Sequence, residues 1–489
     1  MRLLTDTFNG LANNSKVDFV LWTGDSSRHD RDSHIKKQRI ETYEQNVISV
    51  SLFMSAFDVK ITPVIPSIGN WDVFPNANLA ATPNDPQLTS LWSVWEPLFL
   101  GSIDVEFEEA KNSFLAGGYF SRNVLDGLVT VISINSLLFF SENPLVTDCR
   151  AFELLSKGER HLHLNHAPNA HLVWIENQLL SARASNRKVI IQGHVGPEGN
   201  GVQQYNPECF EWFVYFLGEY SDVILSTYFG HINRDLIHLI TRRNPPKKAR
   251  PKKSLHNNIS NHFYMSPPEI SSGVINPFRI TTMLPTVIPS FDIKHWQIVA
   301  AAYTGSSIVP AFNPGYRIGT LEFVKQPDTT SNQWTIKLVK HVTAYLDLTT
   351  ANKNGDTNAL KYKQSCSTLD DFGMVELSPD ELTAWLTQMQ SAFKREIWKS
   401  KPKNKKGAQI FRKYTKCIDT SYISSGKLPT KHRYFQVLQF GEENFSFFSF
   451  GIQVFGVALF AILAIAFLRN LLAKRQQKNI SHPKIKSLD

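Results

Sequence analysis

Four short apolar segments of the chain each end in a glycine followed by a side chain that can bind a metal ion. These turns are Gly24-Asp25, Gly69-Asn70, Gly193-His194 and Gly230-His231. Carboxylate and amide oxygens and imidazole nitrogens are ligands for hard and borderline divalent metals. One such turn is usually structural, but four along one chain are hard to assign to chance. The pattern therefore indicates a divalent-metal site.

The segments before these turns have the pattern of short buried strands. Strands are predicted at Val17–Thr23, Ile61–Ile68, Leu128–Ile134, Lys188–Gln192 and Val223–Phe229, and a helix at Val173–Ala184. Strands that alternate with helices predict an α/β domain. Because α/β sheets bind ligands at the carboxyl ends of their strands, we expect the four turns to meet at that edge.

The order of these motifs resembles that of the calcineurin-like metallophosphoesterases over about residues 1–325. The details are most similar to the sphingomyelinase-like branch and, within it, to the fungal vacuolar endopolyphosphatases. The segments that carry this resemblance are Trp22–Asp30, Gly69–Pro75, Gly117–Phe120, Gly230–Asn233 and Ser307–Pro314. The resemblance implies a metallophosphoesterase-type β-sandwich flanked by helices.

The resemblance also implies two divalent metal ions, with Mn, Mg, Zn, Co and Fe as the candidates. It assigns Asp25 as the ligand that bridges them, and Asn70, His194 and His231 as further ligands of one metal. Asn233 is left for the other metal. In such centres the paired metals acidify a bridging water and bind the phosphoryl oxygens during in-line attack.

Three residues that follow the bridging aspartate are the catalytic candidates. His29 is the substitute for a histidine acid of the family, whose usual position holds Trp71 here. Arg28 either supplies positive charge to the substrate or pairs with a neighbouring aspartate. Asp30 either orients His29 or caps a helix.

One motif of the family is absent. No Asp-x-His precedes Asp25, where only 24 residues are available, and the second metal therefore has too few ligands. We expect the domain to lack its first strand. A gene model that starts too far downstream explains this better than a paralogue without the motif, because an exposed sheet edge costs stability.

Four regions are predicted along the chain. They are a metallophosphoesterase domain at 1–350 with a basic loop at 242–253, a polar extension at 351–444, a transmembrane helix at 445–468 and a basic tail at 469–489. The run 445–468 has 24 residues without a charge, and about 20 suffice to cross a bilayer. The basic tail is then cytosolic and the domain lumenal.

Localisation follows partly from this topology and partly from the resemblance. We expect a single-pass protein of the vacuole membrane whose catalytic domain is lumenal. Sequons at Asn13, Asn258 and Asn444 fit a glycoprotein but are common by chance. The four cysteines, at positions 149, 209, 366 and 417, lack Cys-x-x-Cys spacing. They are free to form disulfides in a lumen, and their pairing is left open.

Composition restricts the class of protein. The chain has 489 residues, 42% of them hydrophobic, and a formal charge of +9. The hydrophobic content excludes wholesale disorder, and four cysteines exclude a disulfide-dense scaffold.

The resemblance implies hydrolysis of internal phosphoanhydride bonds in inorganic polyphosphate. The charge suits this polyanion, and no specific nucleic-acid partner is expected. The alternatives are a phosphodiesterase for a sphingomyelin-like or nucleotide substrate, and an inactive paralogue that binds polyanions. The oligomeric state is left open.

Overall fold

The computed structural model describes residue 7 and residues 17–29, 34–149, 166–244, 276–284, 295–308, 314–325, 334–347, 362–393 and 405–422. The α-helices in these ranges are α1 (Arg39–Ala56), α2 (Pro86–Trp95), α3 (Asp104–Gly117), α4 (Ala167–Ala184), α5 (Pro207–Glu219), α6 (Pro379–Phe393) and α7 (Lys405–Tyr422). The first eight strands are β1 (Val20–Trp22), β2 (Val64–Pro66), β3 (Phe120–Val124), β4 (Val129–Ser133), β5 (Lys188–Gln192), β6 (Glu198–Gly199), β7 (Val202–Gln203) and β8 (Ile224–Phe229). The others are β9 (Leu236–Arg243), β10 (Phe278–Met283), β11 (Trp296–Thr304), β12 (Gly315–Lys325), β13 (Trp334–Tyr345) and β14 (Lys363–Ser367).

A mixed sheet of seven strands forms the centre of the described fold. Its order is β10-β9-β11-β8-β5-β4-β3, and β4, β5, β8 and β11 run parallel. All five predicted strands are present. β5 has the predicted bounds, and the other four are shorter at one or both ends. The predicted helix at Val173–Ala184 begins earlier, at Ala167. The prediction of an α/β fold is confirmed.

β1 and β2 form a separate parallel pair that contacts the large sheet. Val20 lies opposite Val64, and Trp22 lies opposite Pro66. The Gln192 side chain of β5 donates to Ile65 O at 2.8 Å, and the Ser133 hydroxyl of β4 donates to Pro66 O at 2.6 Å. These buried bonds satisfy backbone oxygens of β2 and fix the pair against the large sheet.

Local sequence explains how the neighbouring helices begin and end. Helix α2 starts at Pro86, which needs no N–H partner in a first turn, and the Asp85 carboxylate accepts from Gln87 N at 2.8 Å. Helix α3 ends at Gly118, whose φ of 78° is the left-handed conformation that glycine adopts at helix ends. Both helices contribute aromatic residues to the main core, including Trp95 and Phe114.

A second core is formed by the three-stranded sheet β12-β13-β14, helices α6 and α7, and part of the large sheet. Four apolar residues of α6 recur at helical spacing, which predicts packing residues, and all are buried here: Leu382, Trp385, Leu386 and Met389. The predicted domain boundary at residue 350 falls between β13 and β14, which are paired strands of one sheet. The region after it was expected to be a polar extension, but it supplies β14 and much of the second core.

Two disulfides answer the question of cysteine pairing. Cys149 pairs with Cys209, and Cys366 pairs with Cys417. Beside the first bond, the Asp148 carboxylate accepts from Cys209 N at 3.2 Å in the first turn of α5. The disulfide consumes both thiols, so Asp148 and its two neighbouring cysteines form a helix cap and a crosslink rather than a metal site.

The basic loop predicted at 242–253 begins too early. Arg242 and Arg243 are the last residues of β9, where they pair with Phe278 of β10 and Trp296 of β11 respectively. Backbone pairing on both edges keeps these two residues in the sheet, while their side chains are exposed. The rest of that loop lies outside the described residues, as do the predicted transmembrane helix at 445–468 and the tail at 469–489. Among the described helices, none combines the length and hydropathy needed to cross a bilayer.

Candidate metal centre

The turns after β1 and β2 touch through two glycines. A Cβ on Gly24 would lie 2.6 Å from Gly69 N, and a Cβ on Gly69 would lie 2.2 Å from Asp25 N. Both distances are shorter than any side-chain carbon tolerates. Gly24 also has a φ of 86°, which disfavours other residues. The two glycines thus let the backbone of one turn lie directly against Asp25 of the other.

Asp25 has both carboxylate oxygens engaged. Its Oδ1 accepts from Trp71 N at 2.8 Å, and its Oδ2 lies 3.1 Å from His194 Nε2 and 3.4 Å from His29 Nε2. Its backbone has a φ of 62°, a conformation that is uncommon outside functional sites and turns. Burial alone would raise the pKa of Asp25, but the charge of His194 and these hydrogen bonds hold that pKa far below its usual range. The side chain is therefore an anion at any physiological pH.

His194 presents one ring nitrogen to the centre. Its Nδ1 lies 2.6 Å from Thr23 O, a carbonyl that can only accept, so Nδ1 carries a proton. The opposite nitrogen, Nε2, faces Asn70 Oδ1 at 2.8 Å and Asp25. Burial opposes protonation of the ring, but the Asp25 carboxylate outweighs it and raises the pKa of His194.

His231 approaches from the turn after β8. Its Nδ1 lies 3.0 Å from Asn70 Oδ1, and its ring packs edge-on against Phe140. Its φ of 63° is again left-handed. Burial, with a smaller effect from the charge of His194, lowers the pKa of His231 to about 4. The ring is thus neutral above that pH, the state in which imidazole binds metals.

These four side chains fit one divalent cation. The ligand atoms of Asp25, His194 and His231 all lie within 4.8 Å of one another. The Asn70 amide oxygen contacts both rings. Because Nδ1 of His194 carries the proton, its Nε2 offers a lone pair. Nε2 faces Asn70 Oδ1 and Asp25 Oδ2, which also offer lone pairs. These atoms repel one another unless a proton or a cation lies between them. The prediction that Asp25, Asn70, His194 and His231 come together agrees with this geometry.

The ligands of a second metal are incomplete among the described residues. Asn233 follows His231 by two positions in the same turn, with a φ of 59°. In the part of the chain that the structure describes, the acidic, histidine and cysteine ligand atoms that all lie within 4.8 Å of one another here belong to Asp25, His194 and His231, and His29 contacts Asp25 from outside this group. The geometry therefore brings together candidate ligands for one metal, and of Asn233 it establishes only the left-handed backbone in the same turn.

The three catalytic candidates differ in their surroundings. The His29 ring lies 5.2 Å from the Trp71 ring in an edge-on contact and faces Asp25. The Arg28 guanidinium instead pairs with Glu41 of α1, with Nη2 and Oε2 2.9 Å apart, and donates to Ile35 O. Asp30 lies outside the described residues. His29 is the candidate that faces the centre, while the charge of Arg28 is compensated by a partner that the sequence did not reveal.

Asp72 is a site residue for which the sequence predicted no role. Its Oδ2 accepts from the backbone N–H groups of Asp25 and Gly69, each at 2.8 Å, and its Oδ1 accepts from Ser26 N at 2.8 Å and Asn46 Nδ2 at 3.1 Å. Burial and the negative charge of Asp25 raise the pKa of Asp72. Its oxygens are occupied by four donors, so Asp72 positions both turns and does not bind the metal.

Lys37 is the other unpredicted residue. It is 5% exposed, and its ammonium donates to Trp71 O at 2.8 Å and to the Ser27 hydroxyl, which in turn donates to the same carbonyl. The ammonium also lies 5.0 Å from the centre of the Trp71 ring. Lys37 thus holds the tryptophan against which His29 packs.

A comparison with family models identifies the domain. Residues 2–232 match the model described as calcineurin-like phosphoesterase. The chain contains a calcineurin-like phosphoesterase domain. The matched range includes Asp25, Asn70, His194 and His231 and ends just before Asn233. The resemblance inferred from the motifs is confirmed for this domain.

Curated relatives of the phosphoesterase domain include fungal proteins named endopolyphosphatase. The relative from Cryptococcus neoformans is 33% identical over 239 residues, 48% of this chain and 32% of that protein. The relative from Saccharomyces cerevisiae is 31% identical over 266 residues, 52% of this chain and 35% of that protein. The matches span about a third of the length of these relatives. A solved dimetal phosphatase from Danio rerio aligns with a TM-score of 0.32 at 12% identity, over 70% of this chain and 82% of that chain.

Glu198 in β6 is expected to make stability pH-dependent. Burial raises the pKa of Glu198 to about 7. The folded state then holds a proton that the unfolded chain releases near pH 4.5. The stability that this proton provides is complete below pH 4.5 and is lost as the pH rises through about 7. The free energy of unfolding falls by up to about 3 kcal/mol over this range. We expect Glu198→Gln to raise the free energy of unfolding at pH 8 and to leave it nearly unchanged at pH 4. Urea titrations at the two values measure this, and an equal gain at both would contradict it.

Proposed function

We propose that the protein hydrolyses internal phosphoanhydride bonds of inorganic polyphosphate with the help of two divalent metal ions. The supporting observation is the convergence of Asp25, Asn70, His194 and His231 on one point, within a range that matches phosphoesterases. The substrate is proposed from the fungal endopolyphosphatases that share this range.

The proposed roles follow from the geometry of each side chain. Bound metal would acidify a water molecule and neutralise charge on the phosphoryl group. Asp25, His194 and His231 would hold it, and the hydrogen bond from His194 Nδ1 to Thr23 O keeps the other nitrogen available as a ligand. His29 faces the same carboxylate from a partly exposed position and is proposed to protonate the leaving oxygen.

The proposed location is the lumen of the vacuole, with a single membrane span at 445–468. Two disulfides form within the described residues, and such bonds persist in oxidising compartments. The sequence pattern of the span and its basic flank supports the orientation.

The test is the shortening of long-chain polyphosphate by the purified full chain, resolved on a gel. Expected products are chains of intermediate length, in the presence of added Mn²⁺ or Mg²⁺ and not with chelator. Release of orthophosphate alone would contradict internal cleavage. Binding of polyphosphate without metal-dependent shortening would favour the inactive alternative. Hydrolysis of a phosphodiester substrate with no action on polyphosphate would favour the sphingomyelinase-like alternative.

A further inference from the structure

The net positive charge of the chain is concentrated near helix α7. Residues 394–416 contain ten Lys or Arg and one acidic residue, a net charge of +9. The whole chain has 52 Lys or Arg and 43 Asp or Glu, so all other residues together hold 42 of each sign. The basic segments at 242–253 and 469–489 are therefore balanced by acidic residues elsewhere. Of the segment 394–416, the structure describes the part from residue 405 onward.

Helix α7 is fixed to the protein by its apolar side. Phe411 and Tyr414 are buried in the second core, and the Tyr414 hydroxyl donates to Met283 O at 2.7 Å. Cys417 crosslinks the helix to β14 through Cys366. The opposite side of α7 is therefore held in one orientation toward solvent.

That opposite side is basic. Lys406, Arg412 and Lys416 are exposed, with Lys413 partly exposed between them. Lys413 Nζ lies 3.4 Å from an Asp371 carboxylate oxygen. Within the described residues, no carboxylate lies within 4.0 Å of the charged groups of Lys406 or Arg412. The charges extend from Lys406 to Lys416, a helical rise of about 15 Å.

We propose that this basic face of α7, defined as Lys406, Arg412, Lys413 and Lys416, is a docking surface for a polyphosphate chain, separate from the metal centre. A row of cations on a fixed helix attracts a flexible polyanion without requiring sequence or shape. The choice of polyphosphate as the ligand rests on the proposed function. The consequence is a preference for long chains, because a chain gains from both contacts when it occupies the basic face and the metal centre together.

Two other anionic partners fit the same face less well. A helix that binds membranes inserts an apolar side into the lipid, but the apolar side of α7 is buried in the second core. Proteins that bind single-stranded nucleic acid stack bases on aromatic side chains, but Phe411 and Tyr414, which lie beside the basic face in α7, are buried. Polyphosphate needs neither feature, because it consists of phosphate charges alone.

The test compares two triple variants of the full chain that lose the same charge. Lys406→Gln/Arg412→Gln/Lys416→Gln removes charges from the basic face, and Lys60→Gln/Lys111→Gln/Lys325→Gln removes as many elsewhere. Binding of fluorescently labelled long-chain polyphosphate is measured with chelator present, so that no hydrolysis is needed. We expect roughly tenfold weaker binding for the first variant, with a shallower dependence on salt, and little change for the second.

Hydrolysis assays and vesicles complete the test. In the first variant, kcat/KM for long chains should fall about as much as affinity, while tripolyphosphate cleavage should be unchanged. Equal binding by both variants and the wild type would overturn the proposal. So would a first variant that keeps its affinity for polyphosphate but loses adsorption to vesicles containing phosphatidylserine, which would assign the face to a membrane. Because binding is measured with chelator, its loss is distinguishable from failure of the proposed catalysis.

Discussion

Asp25→Asn is expected to reduce the rate of polyphosphate shortening by at least about a thousandfold. The carboxylate is an anion whose Oδ2 faces both His194 and His29, while Oδ1 is bound by a backbone N–H of the neighbouring turn. An amide removes the negative charge that a divalent cation requires. It also places either an NH₂ group or a single oxygen where the metal ligand lies. Initial rates on gels and calorimetric titration with Mn²⁺ measure the loss of activity and of metal affinity.

A matched control is Asp126→Asn, in the exposed turn between β3 and β4. Asp126 has a φ of 54°, similar to that of Asp25, and asparagine tolerates this conformation. We therefore expect unchanged activity and unchanged unfolding temperature in the control. If Asp25→Asn kept more than a few per cent of the rate while folded, Asp25 would not be the metal ligand.

The convergence of the four candidate metal ligands was predictable because each lies in the turn that follows a strand. A run of apolar residues such as Lys188–Gln192 defines a buried strand, and its carboxyl end fixes where the next polar residue lies. Asp25, Asn70, His194 and His231 all obey this rule. Short strands that each end in a glycine turn indicate which residues meet at one edge of the fold. The sequence pattern was therefore enough to group these four residues.

The residues that position the ligands could not be predicted in the same way. Asp72 bonds to the backbone of Asp25, 47 positions earlier, and Lys37 bonds to Trp71 O, 34 positions later. Neither partner is marked by residue type, because any backbone N–H or carbonyl serves. Arg28 shows the same limit: its pairing with Glu41 depends on where α1 packs. Only the folded chain defines such contacts.

Most of the second core was also hidden from the sequence, although the apolar spacing in α6 indicated packing. Helix α7 is strongly amphipathic and carries many charges, so residues 351–444 looked like a polar extension. Burial of Trp385 and Tyr414, and the bond between Cys366 and Cys417, depend on contacts with strands far away in the chain. Composition averages over both sides of a helix and therefore conceals the buried one.

Asp72→Asn is expected to weaken metal binding by about 10–100-fold and to lower the free energy of unfolding by about 2 kcal/mol. The carboxylate accepts from four N–H groups with two oxygens. An amide keeps one oxygen and directs its NH₂ group at two donors, which are then buried without an acceptor. The variant also removes the repulsion between Asp72 and Asp25, and we expect the lost bonds to outweigh that gain. The turns carrying Asp25 and Asn70 should then separate.

Asp85→Asn is the matched control for this substitution. Asp85 caps α2 by accepting from Gln87 N, and asparagine caps helices about as well as aspartate. Urea unfolding and Mn²⁺ titration of both variants distinguish positioning from general damage. A stability loss in Asp72→Asn with unchanged metal affinity would mean that Asp72 supports the fold alone. A loss of Mn²⁺ affinity larger than that of the control would link the buried Asp72 carboxylate to the metal centre. Asp72 bonds to both turns that carry candidate ligands, so its loss should displace those ligands.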